Sequence, residues 1–176
     1  MAIDKSANLN LTSVRVCLEP LGYSDEKWFH DLNMDHSVRR YLWDDVIIGA
    51  DVVKKILLRN HQYFSRSRWG LWKISLINTN DYIGYAGLWP FFEENQPQLL
   101  YVLLPLFEGQ GYATESAKIV IRYAFKMLDF GFITAAVDEP NVASARLCRR
   151  LGMHLDHERV IDGKRTLFFR LDNMIR

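Results

Sequence analysis

Short apolar runs alternate along this chain with longer stretches in which apolar residues recur at helical spacing. Residues 11–18, 69–77, 82–88, 99–104 and 132–137 read as strands, being apolar, β-branched or aromatic and bounded by turn residues. Residues 153–161 and 164–171 flank Asp162-Gly163, a two-residue pair that specifies a tight hairpin. A second hairpin is predicted over Asn78, Thr79, Asn80 and Asp81, because Asn and Asp accept turn conformations. Ser24, placed before Asp25 and Glu26, predicts a helix start with Trp28, Phe29 and Leu32 on its apolar side. Residues 41–45 read as a loop, and its aromatics either pack into the core or form one wall of a pocket. Val53, Ile56, Leu57 and Phe64 mark a helix over 51–64, and the polar residues 65–68 break it.

The densest pattern lies between residues 99 and 131. Pro105 ends a strand, since proline has no N–H to give to a sheet. Glu108, Gly109, Gln110, Gly111, Tyr112, Ala113 and Thr114 follow, and then a helix with Ala117, Val120, Ile121, Ala124 and Leu128 on one face. Gly131 stands where a left-handed cap belongs. Strand, glycine loop and helix start together make an anion site. The first N–H groups of a helix lack internal partners, and glycine lets the backbone approach a phosphate closely. A plain strand-to-helix turn that needs two glycines fits the same residues. The phosphate-loop motif of nucleoside triphosphatases is absent, and Thr114 stands where the dinucleotide fingerprint needs its third glycine.

Further on, Asn141 caps a short helix over 142–151 that closes with Arg149, Arg150 and Gly152. A meander of antiparallel strands followed by two strand–helix units predicts an α/β chain with a mixed sheet and helices on its faces. With 176 residues, no repeat and no linker, a single domain is expected over 1–176, its core at about 11–171. The formal net charge of +1 argues against broad binding to nucleic acid or anionic membrane. Cys17 and Cys148 are the only cysteines, and no metal-ligand spacing appears, so no metal is expected. Without a signal peptide or a membrane-length apolar run, a cytoplasmic protein is expected.

These pieces, in this order, resemble the GCN5-related N-acetyltransferase (GNAT) family, and more narrowly its RimJ/RimL-like branch. Three segments carry the likeness: Asp35 with Val38-Arg39-Arg40-Tyr41-Leu42; Leu103-Leu104-Pro105 with Gly109 to Glu115; and Asn141-Val142-Ala143-Ser144 with Arg150-Leu151-Gly152-Met153. The resemblance implies a mostly antiparallel central sheet of about seven strands, with a splayed parallel pair formed by 99–104 and 132–137. It implies acetyl-CoA as co-substrate, with pantetheine against the backbone of Val102, Leu103 and Leu104. Pyrophosphate would sit on the N–H groups of Gly109, Gln110, Gly111, Tyr112, Ala113 and Thr114, with Asn141 and Ser144 as further contacts. The reaction implied is direct attack of a primary amine on the thioester in a ternary complex. The acceptor is a protein or peptide N-terminus or, as the alternative, a small amine such as a polyamine or antibiotic. A non-catalytic CoA-binding module is the rival reading, and self-association into a homodimer is left open.

Two departures from the branch bear on catalysis. Gln98 stands where a Glu often serves as base, and Cys148 where a Tyr often protonates the departing thiolate. Ser144 and Cys148 are therefore the candidate proton donors. Glu93, Glu94, Asp138, Asp156, Glu158 and His36 are candidates for the base, with none singled out. Glu108, in the anion loop, should point to solvent.

Overall fold

The computed structural model describes residues 9–92, 94 and 96–174; the candidate base Glu93 lies outside them. The order of elements is β1 (Leu11–Thr12), β2 (Val16–Pro20), α1 (Glu26–Met34), α2 (His36–Leu42), α3 (Ala50–Ser67), β3 (Leu71–Leu76), β4 (Tyr82–Trp89), β5 (Gln98–Leu103), α4 (Tyr112–Met127), β6 (Phe132–Asp138), α5 (Val142–Arg150), β7 (His154–Ile161) and β8 (Lys164–Asp172). Strands β1 to β5 form one antiparallel meander in chain order, and β6, β8 and β7 form a second antiparallel sheet. The alternation of each strand supplies the faces. Leu99 and Leu103 of β5 join the core under α4 and α5, whereas Leu100, Val102 and Leu104 pack with α1, α2 and α3 on the other side. Ile133, Ala135 and Val137 of β6 face the same way as Leu99 and Leu103.

Strands β5 and β6 start together, where the Gln96 side chain donates to the Phe132 carbonyl, yet they share no ladder. The splayed pair expected from the resemblance is therefore a seam between two sheets. Every ladder among the described residues is antiparallel.

Five local expectations need correction: α3 runs on through Ser67 instead of breaking at residue 65, the left-handed residue after α4 is Asp129 (φ 54°) and not Gly131, and three more concern the first strand, Ser24 and the 41–45 segment. The expected first strand, 11–18, is two, separated by a turn in which the Ser13 N–H donates to the Val16 carbonyl at 3.0 Å. This raises the strand count to eight. Ser24 does not cap α1; Asp25 is its N-cap residue, preceded by a 3₁₀ turn. The Asp25 carboxylate is occupied by the Gly22 N–H at 2.9 Å and the buried Lys73 ammonium at 2.7 Å. Tyr41 and Leu42 are helical, in α2, where the Asp35 carboxylate accepts from the Ser37 N–H at 2.8 Å. At seven residues that helix is too short to show an apolar period.

Helix α3 is tied to the sheet by Asn60, fully buried. Its amide donates to the Leu21 and Leu71 carbonyls at 2.9 and 3.1 Å and accepts from the Leu71 N–H at 2.7 Å. Truncating it strands buried backbone groups, at about 1–3 kcal/mol each. The closing turn has the expected shape, Asp162 and Gly163 both taking positive φ, 49° and 79°.

Candidate functional site

A cleft of about 970 Å³ opens along the seam between β5 and β6. Its wall is built from both faces of the sheet. Tyr101, Ser144 and Leu147 line it on the α4–α5 side, and His36, Tyr41 and Gln98 on the α1–α3 side. The strand backbone contributes as well. The Leu104 N–H donates to the Ile83 carbonyl at 2.9 Å, so alternation turns the groups of Val102 toward β4 and those of Tyr101 and Leu103 toward the seam. Sequence reasoning did not separate these positions, because the parity of a strand's hydrogen bonds depends on its partner.

The glycine loop borders the α4 end of the cleft. Gly109 and Gly111 take positive φ, 71° and 85°, a region that a side chain makes costly. Gly111 is the N-cap residue of α4, and no side chain caps that first turn. Uncapped donors at the positive end of a sixteen-residue helix, on the rim of a cleft, have the chemistry that suits an anion. Gly109, Gly111, Ala113 and Thr114 line the cleft, with Arg146 and Arg150 of α5 across from them. Glu108 is exposed, but it also lines the cleft, so exposure alone does not turn its carboxylate away from the loop.

Gln110 and Tyr112 do not line the cleft; they build the loop. The Gln110 carbonyl accepts from the Arg15 guanidinium at 3.1 Å, and Arg15 lies 4.5 Å over the Tyr112 ring. Arg15 also donates to Glu115 through Nε at 2.7 Å and through its backbone N–H at 3.1 Å, and the Ser13 hydroxyl donates to the same carboxylate at 2.5 Å. Partial burial pushes the Glu115 carboxyl up, but these donors outweigh it and hold it below the ordinary range. This clamp from the β1–β2 turn onto α4 is invisible in the sequence, its members lying about a hundred residues apart.

Asn141 and Ser144 both line the cleft, and the Asn141 side chain accepts from the Ser144 N–H at 3.1 Å. Cys148, one turn further along α5, is fully buried and lies behind the cleft wall, where burial pushes its thiol up. Tyr101 of β5 stands in front of it. The Tyr101 hydroxyl lies 2.7 Å from Ser144 Oγ, 3.2 Å from the Ser144 carbonyl and 3.6 Å from Cys148 Sγ.

The candidate bases separate clearly. Asp156 pairs with His157 at 2.7 Å and Glu158 with Arg165 at 2.5 Å, and neither carboxylate lines the cleft. His36 and Asp138 do line it. Asp138 follows Val137 at the carboxyl end of β6, so its side chain lies on the α1–α3 side of the seam. Burial and the nearby Asp44 raise its pKa, against the pull of Lys164 and Thr166. Glu94 reaches the site indirectly: it accepts from Gln98 Nε2 at 3.0 Å, which leaves the buried Gln98 Oε1 without a partner. The aromatics of 41–45 divide their work. Trp43 Nε1 donates to Asn33 in the core at 2.8 Å, and Tyr41 lines the cleft, its hydroxyl 3.5 Å from the Pro140 carbonyl.

Among the described residues no helix is long and apolar enough to cross a membrane, and no group of three or more His, Cys, Asp or Glu is placed to hold a metal.

Residues 15–154 match the family model described as Acetyltransferase (GNAT) domain. The chain is 27% identical over 157 residues to the spermidine N(1)-acetyltransferase of Escherichia coli (strain K12), covering 85% of this chain and 80% of that protein. It is 21% identical over 145 residues, 82% of each chain, to the uncharacterized N-acetyltransferase YnaD of Bacillus subtilis (strain 168). A solved structure of RimL, a ribosomal L7/L12 alpha-N-protein acetyltransferase in complex with coenzyme A, superposes with a TM-score of 0.77 at 16% identity, over 93% of this chain and 97% of that one. The match spans both the anion loop and the Asn141 helix, and the chain belongs to the GNAT acetyltransferase family, an acetyl-CoA-dependent N-acetyltransferase.

Proposed function

We propose that the acceptor is a protein or peptide N-terminal α-amine, acetylated in a ternary complex within this one domain, in the cytoplasm where acetyl-CoA is available. The observation that carries this reading is the two-sided cleft. An anion site and Ser144 lie on the α4–α5 side, and Gln98 and Asp138 on the other. Acetyl-CoA would be held from the first side by the N–H groups of Gly109, Gly111, Ala113 and Thr114 and by the seam-facing backbone of Tyr101 and Leu103, since Val102 and Leu104 are turned to β4, with Asn141 and Ser144 beside the pantetheine. A seam-facing N–H of Leu103 or Tyr101 would receive the developing oxyanion. The amine would enter from the second side.

The base available there favours an α-amine. Gln98 is an amide and takes no proton near neutral pH. Asp138 is a carboxylate with a raised pKa. An α-ammonium, whose unperturbed pKa is ~7.7–8.0, gives up its proton to a weak base far more readily than a lysine ammonium at ~10.4. Asp138→Asn should lower kcat/KM by roughly 10²- to 10⁴-fold if it is the base and remove the acidic limb of the pH profile. An unchanged acidic limb transfers the role to solvent.

The acceptor class is tested by comparing kcat/KM for three amines: a peptide with a free N-terminus, the same peptide blocked there but carrying lysine, and spermidine. The free peptide should be preferred. A preference for spermidine establishes the small-amine reading, for which the likeness to the spermidine acetyltransferase is the supporting observation. Binding of acetyl-CoA without turnover of any amine establishes the non-catalytic one.

A further inference from the structure

We propose that the Tyr101 hydroxyl, delivered from β5, is the proton donor to the departing thiolate. This rests on the acetyl-transfer reading and names a group that the α5 sequence does not supply. Tyr101 packs on the same side of β5 as Leu99 and Leu103, against the core under α4 and α5, and lines the cleft. Its hydroxyl stands between Ser144 and Cys148, 2.7 Å from one side chain and 3.6 Å from the other. It therefore stands between Cys148 and the cleft. The thiol itself is fully buried and does not line the cleft, so it is shielded from sulfur held there.

Ser144 Oγ is the competing donor, and the geometry gives the two hydroxyls different tasks. Ser144 accepts from or donates to the phenol at 2.7 Å, and its carbonyl offers a second acceptor at 3.2 Å. With Ser144 Oγ donating to the phenolic oxygen, the phenol is held in place and its own proton can turn from the Ser144 carbonyl toward the cleft. The ring packs against the apolar core under α4 and α5, and Cys148 and Arg150 of α5 are the titratable groups that act on the phenol. Burial raises the phenol's pKa and keeps the donor loaded through the neutral range. A thiolate released into the same pocket is desolvated alongside it, so both groups shift in the same direction.

The step balances without a further reactant. The new C–N bond forms, the C–S bond breaks with its electron pair going to sulfur, and sulfur takes the phenolic proton to become a thiol. The amine nitrogen sheds its surplus proton to Asp138 or solvent, and the phenolate regains one from solvent through the open cleft. One proton has then passed, in effect, from nitrogen to sulfur.

The experiment uses the full chain with Tyr101→Phe, Ser144→Ala and a fluorinated tyrosine installed at position 101. Tyr101→Phe should lower kcat roughly 10- to 100-fold, while acetyl-CoA affinity by calorimetry and the amine KM stay within about twofold. Ser144→Ala should cost less. Fluorination acidifies the phenol and keeps the ring, so the alkaline limb of kcat should move to lower pH, which a packing role would not produce. Retained turnover in Tyr101→Phe overturns the proposal. So does an unmoved alkaline limb, or a loss in Ser144→Ala as large as in Tyr101→Phe, which would make Ser144 the donor. A wild-type protein that binds acetyl-CoA yet acetylates no amine defeats the functional reading first, and this one with it.

Discussion

Asn141 shows how one side chain serves fold and site together. Its Oδ1 caps α5 through the Ser144 N–H, and the residue also lines the cleft. Replacement by Ala removes the cap and should cost about 1 kcal/mol, read as a lower denaturant midpoint. Asn141→Asp keeps the capping oxygen and loses the amide donor. Its stability should match wild type, and weaker acetyl-CoA binding in that variant would isolate the ligand contact from the cap; equal affinity would reduce Asn141 to a cap. Gly111 is the complementary case. At φ +85° its Cβ would meet only the Arg15 guanidinium at 3.3 Å, so crowding by protein is mild and backbone strain dominates. Gly111→Val should cost about 1–2 kcal/mol for the left-handed conformation and weaken acetyl-CoA at least tenfold. A folded variant with unchanged affinity would remove the loop from the binding site.

At the scale of elements, the anion loop depends on a partner that precedes it by about a hundred residues. Glu115 in the first turn of α4 receives Ser13 and Arg15 from the β1–β2 turn, and Arg15 passes on to the Gln110 carbonyl. The folded pKa of Glu115 lies below its unfolded value of about 4.3. The clamp therefore contributes stability above that pH and loses it as pH falls through the folded pKa. Glu115→Gln lacks this ionisation, so denaturant midpoints measured between neutral and acidic pH should fall less steeply than in wild type. Identical slopes would show that the carboxylate is not held by its donors. The same variant should weaken acetyl-CoA, because the loop loses one of its anchors. The period of α4 and the Asp162-Gly163 turn were legible in the sequence, since their signals are local. The clamp was not, since Ser13 and Arg15 look like ordinary polar residues inside an expected strand.

At the scale of the molecule, the cleft exists because two antiparallel sheets meet without a ladder. The helix-and-loop segment after α1 reaches over that seam. Tyr41 approaches the β6–α5 turn, and Asp44 pairs with Lys164 at the tip of the β7–β8 hairpin. Both partners of that pair are largely exposed, so it is screened by salt and adds little to stability. Lys164→Ala should leave the thermal midpoint unchanged and alter the amine KM, with the difference fading at high salt. A stability loss without a kinetic effect would assign the pair to the fold alone.

The sequence by itself determined the elements whose signals lie within a few residues: the helical period of 113–128, the Asn141 cap, both hairpin turns and the glycine loop that leads into a helix start. Its ordered motifs also carried the family. Tertiary structure alone decided which β5 groups face the seam, because hydrogen-bond parity is set by β4, and which carboxylate reaches the cleft, because Asp138 and Glu158 differ in strand face rather than in chemistry. It also decided that Tyr101, rather than any α5 residue, puts a phenol beside Ser144 and Cys148. That contact joins residues more than forty positions apart, held together by packing between β5 and α5 that no local pattern records.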